Sequence, residues 1–303
     1  MGVYLSKPKT KKDNGNGETT GLRFAYSSMQ GWRTSMEDAH IATPNIKDGV
    51  HLFAVFDGHG GAEVAKFCEL RFGEQLRKNK NFAEGRYRQA LEETFLKMDE
   101  MLSSAEGERE LRGLKQENEG RSFAGCTANV CLITPTEIIC ANAGDSRAVV
   151  SCPDGVVALS EDHKPDLPNE LARIRAAGGY VSAGRVNDNL NLSRAIGDLE
   201  FKRNSALLPS QQIISAFPEV TIFPLSRRPR FLLMGCDGIW ETLSSKAICD
   251  SIAPKVNKTH KLSNILDDLL DRLLAKTTSS GQGCDNMTSI LVHFIDPLPT
   301  GKA

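Results

Sequence analysis

No stretch of this chain stays apolar for long enough to cross a bilayer as a helix, and no cleavable apolar leader opens it. Net charge is nearly absent: 37 Lys and Arg against 38 Asp and Glu leave −1, so no global field draws in nucleic acid or an anionic surface. Any anion recognition must be local. Eight cysteines, at 68, 126, 131, 140, 152, 236, 249 and 284, include no C-x-x-C pair and mostly sit inside apolar runs, as buried thiols do. That usage fits a reducing compartment, and the Asn-x-Ser/Thr sequences at Asn191, Asn257 and Asn286 read as chance matches. A cytoplasmic protein is expected.

There is, however, enough apolar material for a sizeable core: 40% of 303 residues. From residue 21 onward no Pro/Gly/Ser-rich linker and no internal repeat divides the chain. One domain over 21–297 is expected, with a flexible tail at 1–20 and a short one at 298–303. The N-terminal tail is distinctive. Met-Gly-Val-Tyr-Leu-Ser fits M-G-x-x-x-[ST], which would expose Gly2 for myristoylation, and Lys7, Lys9, Lys11 and Lys12 follow. A single myristoyl chain binds membrane only marginally, so a basic cluster is the kind of second signal that gives peripheral residence at an anionic leaflet.

Short runs rich in Val, Ile, Leu and Phe at 52–56, 127–133, 137–142, 147–151, 156–159, 219–223, 231–235 and 287–294 read as strands. Helical stripes run Gly61, Ala65, Cys68, Phe72, Leu76; Leu91, Phe95, Met98, Leu102; and Leu262, Ile265/Leu266, Leu269, Leu273. The strands from 127 to 159 follow too closely for parallel crossovers, which need about a dozen intervening residues. The class is therefore α+β, with a mainly antiparallel sheet system and helices outside it. Residues 101–121 read as a surface excursion, and 163–190, with a short helix near 169–177, as a loop-rich flap over a site.

Four apolar runs are read as strands ending in an aspartate beside, or one residue from, glycine: FAVFDGHGG at 53–61, ANAGDSR at 141–147, FLLMGCDG at 231–238 and GCDNMTSILV at 283–292. Brought to one sheet edge, Asp57, Asp145, Asp237 and Asp285 would repel one another. A hard divalent cation bound by oxygen, Mg²⁺ or Mn²⁺, resolves that conflict.

Together with GWRTSMEDAH at 31–40, EDHKP at 161–165, SRAIGD at 193–198 and CDGIWE at 236–241, these motifs make the chain resemble the metal-dependent Ser/Thr protein phosphatases of the type 2C family, over about residues 20–295. The resemblance implies a central β-sandwich of two mainly antiparallel sheets flanked by helices, with a binuclear metal centre at one end. It further implies that Asp57 bridges both ions, the Gly58 carbonyl binds one, Asp237 and Asp285 hold the other, and Glu37 and Asp38 act mainly through coordinated waters. Asp145 matches a position that helps hold a weaker third ion in some members; the residues alone equally allow a turn or an ion pair with Arg147. The chain ends soon after its last expected strand, so the helical C-terminal extension of some animal members is not expected.

The expected reaction is hydrolysis of phosphoserine and phosphothreonine monoesters in proteins by a metal-bridging water or hydroxide. No C-x₅-R loop or D-x-D nucleophile motif offers a covalent route. Arg33 would grip the phosphoryl oxygens through its planar fork, and His59 would protonate the leaving alkoxide. Bland alternatives exist for each: Arg33 paired at the surface with Glu37 or Asp38, His59 capping a helix. His163 is expected to support a loop, Asp198 to order the strand beside the site, and Cys126, Cys236 and Cys284 to be core residues. A monomer with phosphoprotein substrates and no nucleic-acid partner is expected. The rivals are a scaffold that has lost the chemistry, and a phosphoesterase for a small metabolite.

Overall fold

The computed structural model describes residues 4–115, 124–259 and 261–295. Gly2, His260 and the tail 298–303 lie outside them. The first part of the chain forms β1 (Tyr4–Thr19), β2 (Leu22–Arg33), β3 (Ala39–Lys47), β4 (Val50–Phe56), β5 (Gly58–His59), α1 (Glu63–Lys78), α2 (Lys80–Ala83), α3 (Tyr87–Leu102) and α4 (Ala105–Leu114). The middle forms β6 (Gly125–Cys126), β7 (Ala128–Ile133), β8 (Glu137–Ala143), β9 (Arg147–Cys152), β10 (Gly155–Ala158), α5 (Pro168–Ala176), β11 (Val181–Ser182), β12 (Arg185–Val186) and β13 (Ile196–Gly197). It closes with β14 (Glu219–Pro224), β15 (Phe231–Gly235), α6 (Asp237–Trp240), α7 (Ser245–Ile252), α8 (Leu262–Leu273) and β16 (Met287–Phe294).

Two antiparallel sheets carry the architecture: β1-β2-β16-β15-β9-β10 and β14-β8-β7-β4-β3. The sequence of β4, VHLFAVF, explains the layering. Phe53 and Val55 enter the core between the sheets, while Leu52, Ala54 and Phe56 enter the second core, under α1 and α3. A strand covered on both faces has no polar side to show, so its run is continuous rather than alternating. On the other side α8 offers Leu262, Ile265, Leu266, Leu269 and Leu273 to the first sheet. The expected α+β sandwich is thus the observed one, and the flap has its own small core around Ile174, Val186 and Ile214.

One expectation fails. The tail expected to be flexible is strand β1 from residue 4 to 19, paired antiparallel along β2 from Tyr4↔Arg33 to Thr19↔Leu22. Its Lys, Asn and Gly residues read as linker because their partners are distant. Asn14 Nδ2 donates to Asp267 Oδ2 (2.7 Å), Asn16 exchanges hydrogen bonds with Ser263, and Lys12 pairs with Asp271, all on α8. The glycines make room: a Cβ on Gly15 would stand 2.6 Å from the Tyr26 ring, and one on Gly17 would stand 2.2 Å from the Phe24 ring. The surface excursion expected at 101–121 includes a mostly exposed helix, Ala105–Leu114 of α4, and its residues 116–121 lie outside the described residues. Ser104 Oγ caps the helix by accepting from Gly107 N (3.0 Å), and Glu110 grips Arg71 of α1. Among the described residues no helix is long and apolar enough to cross a membrane.

Candidate metal centre and active site

The motif aspartates meet at one edge of the sandwich. Asp57 follows β4, Asp145 lies in the turn between β8 and β9, and Asp237 follows β15 as the first residue of α6. Asp285 differs from the expected pattern in preceding its strand. Because β16 runs antiparallel to β15, with Gly235 opposite Ser289, the start of one and the end of the other share an edge. A cleft of about 240 Å³ results, lined by Arg33, Glu37, Asp57, Gly58, His59, Asp145, Asp237 and Asp285 among others.

The electrostatics are those of an uncompensated acid cluster. Asp57 keeps some solvent contact through the cleft but is otherwise enclosed. Its pKa is pushed well above the usual carboxylate range by desolvation first, then by the charges of Asp237, Asp38, Asp145 and Asp285. Asp237 is raised in the same way by desolvation, Asp145, Asp285 and Glu241, with Lys164 opposing. Asp38, buried, is raised to about 7 by desolvation, and its Oδ2 has no hydrogen-bond partner. Ligand atoms of Asp38, Asp57 and Cys236 lie within 4.8 Å of one another, as do those of Asp237, Glu241 and Asp285. Burial holds the Cys236 thiol protonated, its pKa well above the ordinary value, so the donors suited to a cation are oxygens. An orphaned buried carboxylate oxygen among mutually repelling acids fits a hard divalent cation.

Around that cluster the structure sorts the other candidates. Glu37 already accepts from Ser35 Oγ (2.7 Å) and Gly61 N (3.3 Å). Arg33 does not pair with Glu37 or Asp38: its Nη2 reaches Asp285 Oδ2 at 2.5 Å. His59 Nε2 meets Asp198 Oδ2 at 2.8 Å. Burial alone would lower the His59 pKa, but the charge and hydrogen bond of Asp198, with Asp145 and Glu37, raise it instead. Space for this pair depends on Gly125, where a Cβ would stand 2.3 Å from Asp198 Oδ2 and 2.6 Å from His59 Nε2. Asp145 does not pair with Arg147, which takes Asp162 bidentately (2.7 and 2.9 Å), and is held by Lys164. His163 supports the loop as expected, its Nδ1 accepting from Gly144 N (3.2 Å). All eight cysteines are free and buried.

Sequence reasoning missed three residues here. Glu241 follows Asp237 by four positions, so the helical start of CDGIWE was a usable signal. Asn286 staples the 31–40 motif to β16: its Oδ1 accepts from Glu37 N (2.9 Å), and its Nδ2 donates to Gln30 O (2.8 Å) and Ser35 O (3.0 Å). Lys164 sits within EDHKP, but nothing in the sequence aims it at Asp145.

Comparison with known proteins agrees with this geometry. The family described as protein phosphatase 2C matches residues 22–281. "Probable protein phosphatase 2C 5" of Paramecium tetraurelia is 51% identical, over 97% of this chain and 100% of the relative. "Protein phosphatase 2C 1" of the same organism is 50% identical over 97% and 99%. The crystal structure of a phosphatase from a pathogenic strain of Toxoplasma gondii superposes with a TM-score of 0.74 at 25% identity, covering 94% of this chain and 96% of that one. An acid cluster that calls for cations, set at the edge of a sandwich shared with these proteins, has one consistent identity: the chain belongs to the protein phosphatase 2C family and is a metal-dependent serine/threonine protein phosphatase.

Proposed function

We propose that the cleft holds two Mg²⁺ or Mn²⁺ ions: Asp57 serves both, the Gly58 carbonyl one, and Asp237 and Asp285 the other. Glu37 and Asp38 act in support, and Asp145 belongs to a weaker third position. The observation that carries this reading is the buried, unpartnered Oδ2 of Asp38 beside carboxylates whose pKa values are raised by one another. Glu37, with both oxygens already hydrogen-bonded, suits the supporting role. When bound, divalent ions supply Lewis acidity that activates water and offsets charge on the phosphoryl group.

The chain's own residues do the rest. Arg33 uses one nitrogen on Asp285, which leaves the remainder of its planar fork for phosphoryl oxygens. Asp198 fixes Nε2 of His59 and favours the imidazolium, so the Nδ1–H is the proton available to a leaving serine or threonine alkoxide. The Asp198 contribution persists when cations neutralise the other acids.

The test is phosphate release from a phosphothreonine peptide with Mn²⁺, with and without chelator, in wild type and Asp237→Ala. Turnover indifferent to the chelator, or to the substitution, overturns the assignment. Loss of His59 should cost kcat more on a phosphoserine peptide than on an activated aryl phosphate, and equal losses would remove it as the general acid.

The same proposal makes the enzyme a cytoplasmic monomer, peripheral at membranes through myristoylated Gly2. Eight free thiols support the compartment. Lys7, Lys9 and Lys11 are exposed on β1 and could face anionic lipid, whereas Lys12 is taken by Asp271. Mass spectrometry of the protein from its own cells decides it, and an unmodified Gly2 ends the proposal.

A further inference from the structure

Asp145 differs from the acids at the centre of the cleft in already having a cation. Its carboxylate is enclosed, and Oδ2 pairs with the ammonium of Lys164. Asp57 and Asp237 form no ion pair among the described residues. Arg147, the nearer cation in sequence, is spent on Asp162.

The pair is built into the fold. His163, buried, clasps the turn that carries Asp145: its N–H donates to Gly144 O (3.0 Å), and its Nδ1 accepts from Gly144 N (3.2 Å). Lys164 follows directly, with its own N–H donating to Asp162 O (2.8 Å) and its carbonyl accepting from Leu167 N (3.2 Å). The backbone that launches the lysine is thus fixed relative to the aspartate. The ammonium acts on a second cleft acid as well, since its charge opposes the upward push on the Asp237 pKa, to which Asp145 is the neighbouring acid that contributes most. One positive charge therefore serves the neighbourhood of two carboxylates. The partners differ in freedom: the Asp145 side chain is 4% exposed and the Lys164 side chain 44%. An ammonium on a flexible stem open to water can leave while the enclosed carboxylate stays in place.

We infer that Lys164 is the chain's own occupant of the third cation position: its ammonium holds Asp145, and a divalent ion binds there only by displacing it. An ammonium and a divalent ion do not share one enclosed carboxylate, because like charges at contact distance repel strongly where little water screens them. At Asp57 no internal cation has to be moved aside, whereas at Asp145 the entering ion must first break an ion pair. That difference makes the third position the weak one, and the lysine sets the divalent concentration at which it fills. Below that concentration the positive charge beside Asp145 and Asp237 is supplied by the protein. This inference rests on the reading of the cleft as a divalent metal centre.

The test is Mn²⁺ binding to the chelator-stripped full chain, read from the electron paramagnetic resonance signal of the free ion, with no turnover involved. Lys164→Met keeps the apolar stem and removes the charge, and Lys164→Gln gives the same comparison should the Met variant not fold. Either should tighten the weakest Mn²⁺ site by about tenfold or more and leave the tighter sites as they are. Adding Asp145→Asn to the variant should abolish the gain. A weakest site with the same affinity in wild type and variant overturns the inference, as does a gain that survives Asp145→Asn. If the wild type takes up no Mn²⁺ at all, the reading of the cleft as a metal centre of the wild-type enzyme fails by itself, and the variant decides the role of Lys164: an ion gained on loss of the lysine and lost again with Asp145→Asn supports it, and no ion gained overturns it.

Discussion

Asp57 in the cleft and Glu170 in the flap are both carboxylates enclosed by protein, and their pKa values move in opposite directions. Desolvation pushes both up. At Asp57 the neighbouring acids add to that push. At Glu170 the hydrogen bonds and charges of Arg194 and Arg173, with Ser193 Oγ, overcome it and pull the group down to about 2. The flap acid has its counter-charge inside the chain: Arg173 Nη1 and Arg194 Nη2 each lie 2.6 Å from it. At the cleft, Lys164 and Arg33 each pair with a single carboxylate, Asp145 and Asp285, and His59 is taken by Asp198. Enclosed charge that is balanced internally builds structure; enclosed charge left unbalanced is a demand for something from outside.

The contrast breaks most sharply at Asp237. Asp237→Asn should lower phosphopeptide hydrolysis by about 10³-fold or more, yet raise the melting point of the chelated protein, because one repelling charge has gone. Calorimetry with chelator checks the second half, and a lower melting point contradicts the cluster's being uncompensated. In the wild type, Mn²⁺ at a hundred times its Kd should add about 2.7 kcal/mol of stability, a gain that the variant should largely lose.

Glu170 should behave in reverse. Glu170→Ala leaves two enclosed guanidiniums unpaired and should cost roughly 3–5 kcal/mol in urea unfolding, with or without metal. Its lowered pKa also fixes a pH signature. A carboxylate depressed from 4.5 to about 2 in the folded state contributes stability that is complete above its unfolded pKa and is lost as pH falls from about 5 toward 2. That contribution is about 3 kcal/mol at most, and the Ala variant should lack this part of the acid limb.

How much of this was legible depended on whether a residue's partner lay nearby in sequence. Asp57 and Asp237 could be read because a strand, an aspartate and a glycine follow one another directly. Asp285 was placed at the wrong end of its strand, since antiparallel pairing decides which end faces the cleft. The His59 and Asp198 contact spans 139 positions, so its partner could not be named from spacing. Glu170 went unremarked because the arginine that meets it most fully, Arg194, is 24 residues on. Strand β1 was hidden for the same reason: its Lys, Asn and Gly residues are explained by α8 and by the rings of β2.

Smaller effects refine the picture. Asp198→Asn keeps the shape beside His59 but removes the charge that favours the imidazolium, so kcat should fall about 10–100-fold on phosphoserine peptides and less on an aryl phosphate. Equal losses on both would make Asp198 a structural residue. Gly17→Ala pushes a methyl group into the Phe24 ring and should destabilise the fold by about 1–2 kcal/mol, with activity per folded molecule unchanged. An unaltered urea midpoint would mean that the pairing of β1 with β2 adds little to the fold.

That pairing has a practical consequence. Tyr4 lies opposite Arg33, and Arg33 lines the cleft. A purification tag or fusion partner joined ahead of Tyr4 is therefore delivered to the doorway through which a bulky phosphoprotein must pass. An N-terminally tagged preparation should turn over an aryl phosphate normally while handicapping large substrates, and specificities measured on it would describe the tag as much as the enzyme.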